Sequence, residues 1–191
     1  EKDVKTLEDV LAGALDIIAE DISDDPDIRK LVREMTIRRG LVRSVGLTKE
    51  VSNYSNYYDY QEAINHIVSH RILALNRGER EEYLQVSIEV PQEAILGKMK
   101  ALWVKGPVNE DLLSQALEDS YKRLIAPSIE REMRNLLTER AQEQALNIFS
   151  KNLKNLLLQA PLKDKVVLGF DPAYRTGCKV AVVSSTGRLL A

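Results

Sequence analysis

Cysteine is almost missing from this chain of 191 residues, where Cys178 stands alone. One thiol closes no internal disulfide, and a zinc site built on cysteines is excluded. Long apolar runs are missing as well. The stretch from Leu153 to Ala160 is broken by Lys154 and Asn155 and falls far short of the roughly 20 residues that a membrane helix needs. Nothing near the start shows the basic, apolar, small-residue order of a secretory signal. The chain opens on Glu1 without a methionine, so it reads as a piece of a longer cytoplasmic protein. What is present is 44% apolar and 29% charged residues, the composition of a globular protein with room for one good core or two small ones.

A net charge of -2 conceals two opposed segments. Ten acids against Lys2 and Lys5 give residues 1–27 a charge of -8, and six bases against Glu34 give residues 29–43 a charge of +5. Such polarity serves a nucleic acid or pairs one helix with its neighbour, and pairing is the reading adopted here. Val4, Leu7, Val10, Leu11, Ala14, Ile17 and Ile18 recur at helical spacing and predict a first helix over residues 3–22. Asp25 and Pro26 then supply a cap and a first-turn proline for a second helix that stops at Gly40.

Residues 41–60 carry no confident strand signal. Tyr54, Tyr57, Tyr58 and Tyr60 suit base stacking, but no lysine or arginine lies between Val51 and Gln61. The tyrosines therefore read as rings anchoring a loop, with their hydroxyls in water. A short helix follows, with Ser69 as its cap and Gly78 as its stop, and then a period-two strand near residues 83–90. Arg71 and Arg77 flank that helix within reach of phosphate. His66 and His70 have helical spacing for a metal but no evident third ligand, so no metal is assigned.

Beyond Pro91 the pattern is helical almost to Gln159. Residues 91–104 form one helix, Asn109 starts another, and after Pro127 an apolar stripe from Ile129 to Leu157 predicts one long linking helix over residues 128–160 with a solvated charged face. Pro161 and the polar residues 163–165 break the pattern and mark a domain boundary. The chain closes on a β-hairpin, VVLGF and KVAVVSS, with a Thr186-Gly187 turn into a third short strand. The fold class is mainly α: a helical bundle, a long linking helix, one strand and this hairpin.

Asp171 ends the first hairpin strand, and a turn bearing Arg175, Thr176 and Gly177 leads to Lys179. An aspartate at the end of a buried strand needs a positive or metallic partner. Two chemistries suit the arrangement: a two-metal nuclease in which Asp171 is one catalytic ligand, and a phosphate-holding turn of the ATPase kind. Both need further carboxylates from later strands.

The run YSNYYDYQEAINHIVSHRILALNRGEREEYLQVSI, the long helical segment and the terminal VVLGFDPAYRTGCKVAVVSSTGRLL together resemble the Tex family of bacterial transcription accessory proteins. The resemblance is sharpest at Tyr57 to Tyr60, Ser69 to Arg71, Arg77 to Gly78 and Leu168 to Gly187. It implies a multidomain protein with a helical N-terminal region, a YqgF-like domain of ribonuclease H-like fold, helix-hairpin-helix elements and an RNA-binding OB domain. Residues 1–127 then correspond to the helical region, 128–160 to the linking helix and 161–191 to the first strands of the YqgF-like domain. The implied function is nucleic-acid binding in transcription, on RNA or DNA, with the transcription machinery as a protein partner. Arg71, Arg77, Arg175 and Lys179 are the phosphate contacts, and no cofactor is needed unless magnesium serves a nuclease at Asp171. The family's turn has glycine where Ala173 stands, so an altered turn is expected. Exposed hairpin edges imply self-association through residues 165–191.

Overall fold

The computed structural model describes residues 6–104, 109–160 and 162–191. Helix α1 (Leu7–Asp24) opens on a capping box. The Thr6 hydroxyl accepts the Asp9 N–H at 3.2 Å, and the Asp9 carboxylate accepts the Thr6 N–H at 2.9 Å. Residues 3–5 of the expected start lie outside the described residues. Asp25 then accepts from the N–H groups of Asp27 and Ile28 at 2.8 and 3.2 Å, and Pro26 sits in the first turn, so α2 (Pro26–Arg39) begins and ends as its sequence dictates.

The 41–60 region departs from expectation. β1 (Leu41–Gly46) is the centre of a three-stranded antiparallel sheet, with β2 (Asp59–Ala63) on one side and β3 (Leu84–Glu89) on the other. Ser44 pairs with Tyr60 in one ladder and Val86 in the other. The alternation of β1 was masked because its second inward position is Ser44, fully buried where an apolar residue was to be expected. β2, DYQEA, has an edge position and a polar composition, so period-two hydrophobicity barely registers.

Three of the four tyrosine hydroxyls are hydrogen-bonded within the protein, not left to water. Tyr54 donates to Glu81 at 2.7 Å, Tyr58 to the Glu50 carbonyl at 2.8 Å, and Tyr60 to Glu62. Tyr54 is buried, and the Tyr57 and Tyr60 rings meet edge to face at 5.4 Å. The loop is thus a packed wall of the second core.

Val68 occupies the N-cap position of α3 (Ser69–Arg80) without a side-chain hydrogen bond, and Ser69, the expected cap, instead donates its hydroxyl to Gln144. Gly78 does not stop α3. It lies buried two residues before the end, where an added Cβ would stand 2.5 Å from Leu84 Cδ1 and 3.0 Å from Tyr54 Cδ1. Its role is close approach of helix to strand.

α4 (Gln92–Trp103) follows the sheet, and α5 (Glu110–Asp119) runs without interruption through a π-helical segment, Ser120–Ile125, into α6 (Ala126–Leu157). The joined helix is 48 residues long. Pro127, expected to separate two helices, lies within this continuous helix. It is accommodated because the wide turn before it bonds i to i+5, with the Ala126 N–H donating to the Tyr121 carbonyl, and re-phases the ladder around the missing N–H.

Two cores share α6. Ile22, Ile28, Val32, Ile95, Met99, Leu117 and Ile125 meet Ile129 and Met133 in the first; Val42, Ile64, Ile72, Leu75 and Leu84 meet Leu137 and Ala141 in the second. The charge polarity of the first two helices is spent elsewhere than expected. Asp16 of α1 pairs with Arg123 at 3.2 Å, and Arg33 of α2 with Glu132 of α6. Ser120 fixes the π segment to α1 through a 2.7 Å bond to the Ala19 carbonyl.

The chain divides into two compact units, Glu1–Leu146 and Asn147–Ala191. In the second, β4 (Val167–Asp171) and β5 (Lys179–Val183) form a two-stranded antiparallel sheet. The third strand is reduced to a single bridge between Val183 and Leu189. The apolar stripe of α6 is buried only as far as Ala141, and in the second unit Phe149 and Leu157 are exposed. Pro161, the expected boundary marker, lies outside the described residues.

Candidate nucleic-acid interface

α3 presents three different sides. Ile72, Leu75 and Gly78 enter the second core. Asn76 and Glu79 face α6: the Asn76 amide donates to the Thr138 hydroxyl at 2.9 Å, and Glu79 accepts from Arg134, which also donates to the Val86 carbonyl at 2.8 Å. The third side carries His70, Arg77 and Arg80, all exposed. Beside it lies an open groove of about 680 Å³, lined by α3, by Asn53 and Tyr54, and by Thr138 and Gln142 of α6.

The predicted contact Arg71 is on α3 but not in this groove. Its Nη1 donates to Glu62 Oε1 at 2.8 Å, while the other Glu62 oxygen accepts the Tyr60 hydroxyl. Burial, reinforced by the Glu62 carboxylate, pushes the Tyr60 phenol up to about 12. Burial alone would raise the Glu62 carboxyl, but the hydrogen bonds from Tyr60 and Arg71 outweigh it and hold the group below its usual range. Arg77 does line the groove, and its nearest acid is Glu81 at 3.7 Å on an exposed pair. Glu81 also accepts from Tyr54, which fixes that wall.

Sequence reading missed Arg80, Asn53 and Gln142 as groove residues, and weighed His70 only as a metal ligand. One signal was available: residues 70, 73, 74 and 77 follow i, i+3, i+4, i+7 spacing, with Arg80 one turn on, so a single face of α3 running from a histidine to two arginines was legible. Asn53 and the two α6 residues come from distant segments that only the tertiary fold assembles.

In the second unit, Asp171 and Lys179 are cross-strand partners at the end of the β4–β5 ladder, and Arg175 is exposed in the turn between them. β4 is largely exposed, so Asp171 meets none of the burial penalty anticipated for it. Gly177 takes a φ of +74°, while Ala173 has no positive φ, so the alanine substitutes for glycine in the turn without backbone strain. Among the described residues, no group of three His, Cys, Asp or Glu side chains is gathered to hold a metal. No described helix is long and apolar enough to cross a membrane.

The family model described as Tex central region-like matches residues 1–149, and that of the Tex protein YqgF-like domain matches residues 165–191. The chain is 49% identical to YdcI of Bacillus subtilis over its whole length, covering 27% of that protein. It is 33% identical to Transcriptional accessory protein Tex of Neisseria gonorrhoeae over 94% of its length and 25% of that protein's. It is 31% identical to human S1 RNA-binding domain-containing protein 1, covering 99% of this chain and 21% of that one. The chain thus spans about a quarter of the length of these relatives. Its helical region and closing hairpin match two successive Tex models, and the chain belongs to the Tex family.

Proposed function

We propose that this chain is a helical scaffold of a transcription accessory protein that binds nucleic acid and positions further RNA- or DNA-binding modules. The observation that carries the reading is the exposed arginine side of α3, Arg77 with Arg80, on a chain whose relatives include a protein named for transcription and another named for an S1 RNA-binding domain. On this reading Arg77, Arg175 and Lys179 contact phosphate. Arg71 contributes less, since its guanidinium is already paired with Glu62. The domain assignment follows the same logic: residues 1–127 as helical region, 128–160 as linking helix and 161–191 as the start of a YqgF-like domain. The transcription machinery is the proposed protein partner, and the cytoplasm the proposed compartment.

Binding of labelled single-stranded RNA and duplex DNA across a salt series tests this. The expected result is affinity that falls linearly on logarithmic axes, since phosphate contacts release counterions. Affinity too weak to measure at 50 mM salt for both probes overturns the reading. The alternative is a magnesium-dependent nuclease using Asp171. Asp171 stands opposite a lysine, and among the described residues no group of three His, Cys, Asp or Glu side chains is gathered around it. That alternative predicts cleavage that Asp171→Asn removes, whereas the scaffold reading predicts unchanged binding in the same variant.

A further inference from the structure

The groove beside α3 has a more specific composition than phosphate binding alone requires. Along one face of the helix come, in order, an imidazole at His70, a small apolar floor at Leu73 and Ala74, and two guanidiniums at Arg77 and Arg80. Residues seven apart on a helix are separated by about 10 Å along the axis. The face therefore offers a ring and an apolar platform at one end and positive charge at the other. The facing wall adds the Gln142 amide, of the kind that reads base edges.

The charge is available. Among the described residues Arg80 holds no ion pair, and the Arg77 contact with Glu81 is 3.7 Å long and solvent-exposed, readily exchanged for a phosphate. The Tyr54 ring is not available. It is buried against Gly78 and Tyr83 and tethered to Glu81, so His70 is the exposed ring of the groove.

The walls are also preformed. Asn76 to Thr138, Ser69 to Gln144 and Glu79 to Arg134 clamp α3 to α6 over nearly its whole length. A site that need not order itself on binding keeps more of its interaction energy. Its volume of about 680 Å³ lies within the range of small-ligand pockets, near 300–1,000 Å³. A duplex keeps its bases stacked inside and has nothing to insert in such a recess, whereas an unpaired strand splays them out.

We propose that this groove seats an unpaired nucleic-acid strand, with one base laid on Leu73 and Ala74 against the His70 ring and adjoining phosphates on Arg77 and Arg80. The inference rests on the nucleic-acid reading above and deepens it.

The test is fluorescence anisotropy on the 191-residue chain with labelled eight-nucleotide oligo(U), oligo(dT) and a blunt duplex, in a salt series. The two unpaired probes are expected to bind more tightly than the duplex. Arg77→Ala with Arg80→Ala is expected to weaken oligo(U) about tenfold and to reduce the salt slope by about 1.4, at about 0.7 per lost phosphate contact on a single strand. His70→Ala is expected to weaken binding about fivefold or more with the slope unchanged, the signature of lost stacking. Ala74→Trp, which fills the floor, is expected to block binding while circular dichroism stays that of the parent. If oligo(U) binds but the α3 variants match the parent, the groove proposal is overturned and the nucleic-acid reading stands. If duplex binds best and the same variants abolish it, the unpaired-strand assignment is overturned. If no probe binds at 50 mM salt, both fall.

Discussion

Gly78 shows how one residue settles the distance between two elements. Replacing it with alanine has opposite effects on helix and packing: helix propensity favours the change by about 1 kcal/mol, while the new Cβ would meet Leu84 Cδ1 at 2.5 Å. Overpacking costs about 1–3 kcal/mol, so Gly78→Ala is expected to destabilise, measured as a lower urea midpoint with an unchanged slope. A second residue-scale prediction concerns Glu62. Its carboxyl lies below the usual 4.5 in the folded chain, so its contribution is fully present above about pH 4.5 and is lost as pH falls through the folded value. The pair with Arg71 is partly exposed, so the contribution is small, about 0.5–1 kcal/mol. Glu62→Gln should therefore lower the urea midpoint at pH 7 and lower it less as the pH falls below the usual carboxylate range; an equal drop across that range would contradict the charge-based account. Of the candidate contacts named from sequence, Arg77 stands in the groove while Arg71 is tied into the Tyr60–Glu62 network. Glu62 lies nine residues from Arg71 across a loop, and no sequence pattern announces that partnership.

At the scale of elements, α6 is the member on which most depends. Met133 is 1% exposed in the first core, and Leu137 is 4% exposed in the second, one turn further along. Met133→Ala and Leu137→Ala should each cost about 2–5 kcal/mol. Because both side chains project from one rod, either substitution should lower the unfolding midpoint of the whole first unit, read alike by Trp103 fluorescence and by far-ultraviolet circular dichroism. Two separate transitions would show the cores to be independent. The helices were legible because caps and 3.6-residue spacing are local: Asp25 and Pro26 announced α2 without any knowledge of its neighbours. β1 and β2 were not. Ser44 interrupts the alternation of the central strand, and the polarity of β2 suits an edge, so their identity lies in pairing with segments far along the chain. Pro127 misled for a related reason, because the turn that admits it is built from i to i+5 bonds and carries no residue signature of its own.

For the molecule as a whole, the second unit exposes Leu168, Phe170 and Val180 on a sheet of only two strands. Unpaired edges with apolar faces favour association. The apparent mass of the isolated chain in gel filtration is expected to rise with concentration, and Leu168→Lys with Val180→Lys should suppress the rise; a concentration-independent monomer would refute this. The first unit has a different kind of sensitivity, set by the six residues from Ser120 to Ile125. Each residue advances an α-helix by about 100°, so a helix carrying one extra residue keeps its phase only by widening a turn, and this segment holds the face that α5 offers the first core in step with the faces α6 offers to both. Deleting Lys122, an exposed side chain, would take the extra residue out of the wide turn, and an ordinary i to i+4 ladder would close there with the two helices still in phase. Deleting a residue from the regular ladder after Pro127 would instead turn Ile129 and Leu137 away from their cores by about 100°, and a deletion that removes no buried atom would disturb the packing of both. What this turn holds is a spare residue, which is why composition says so little about it.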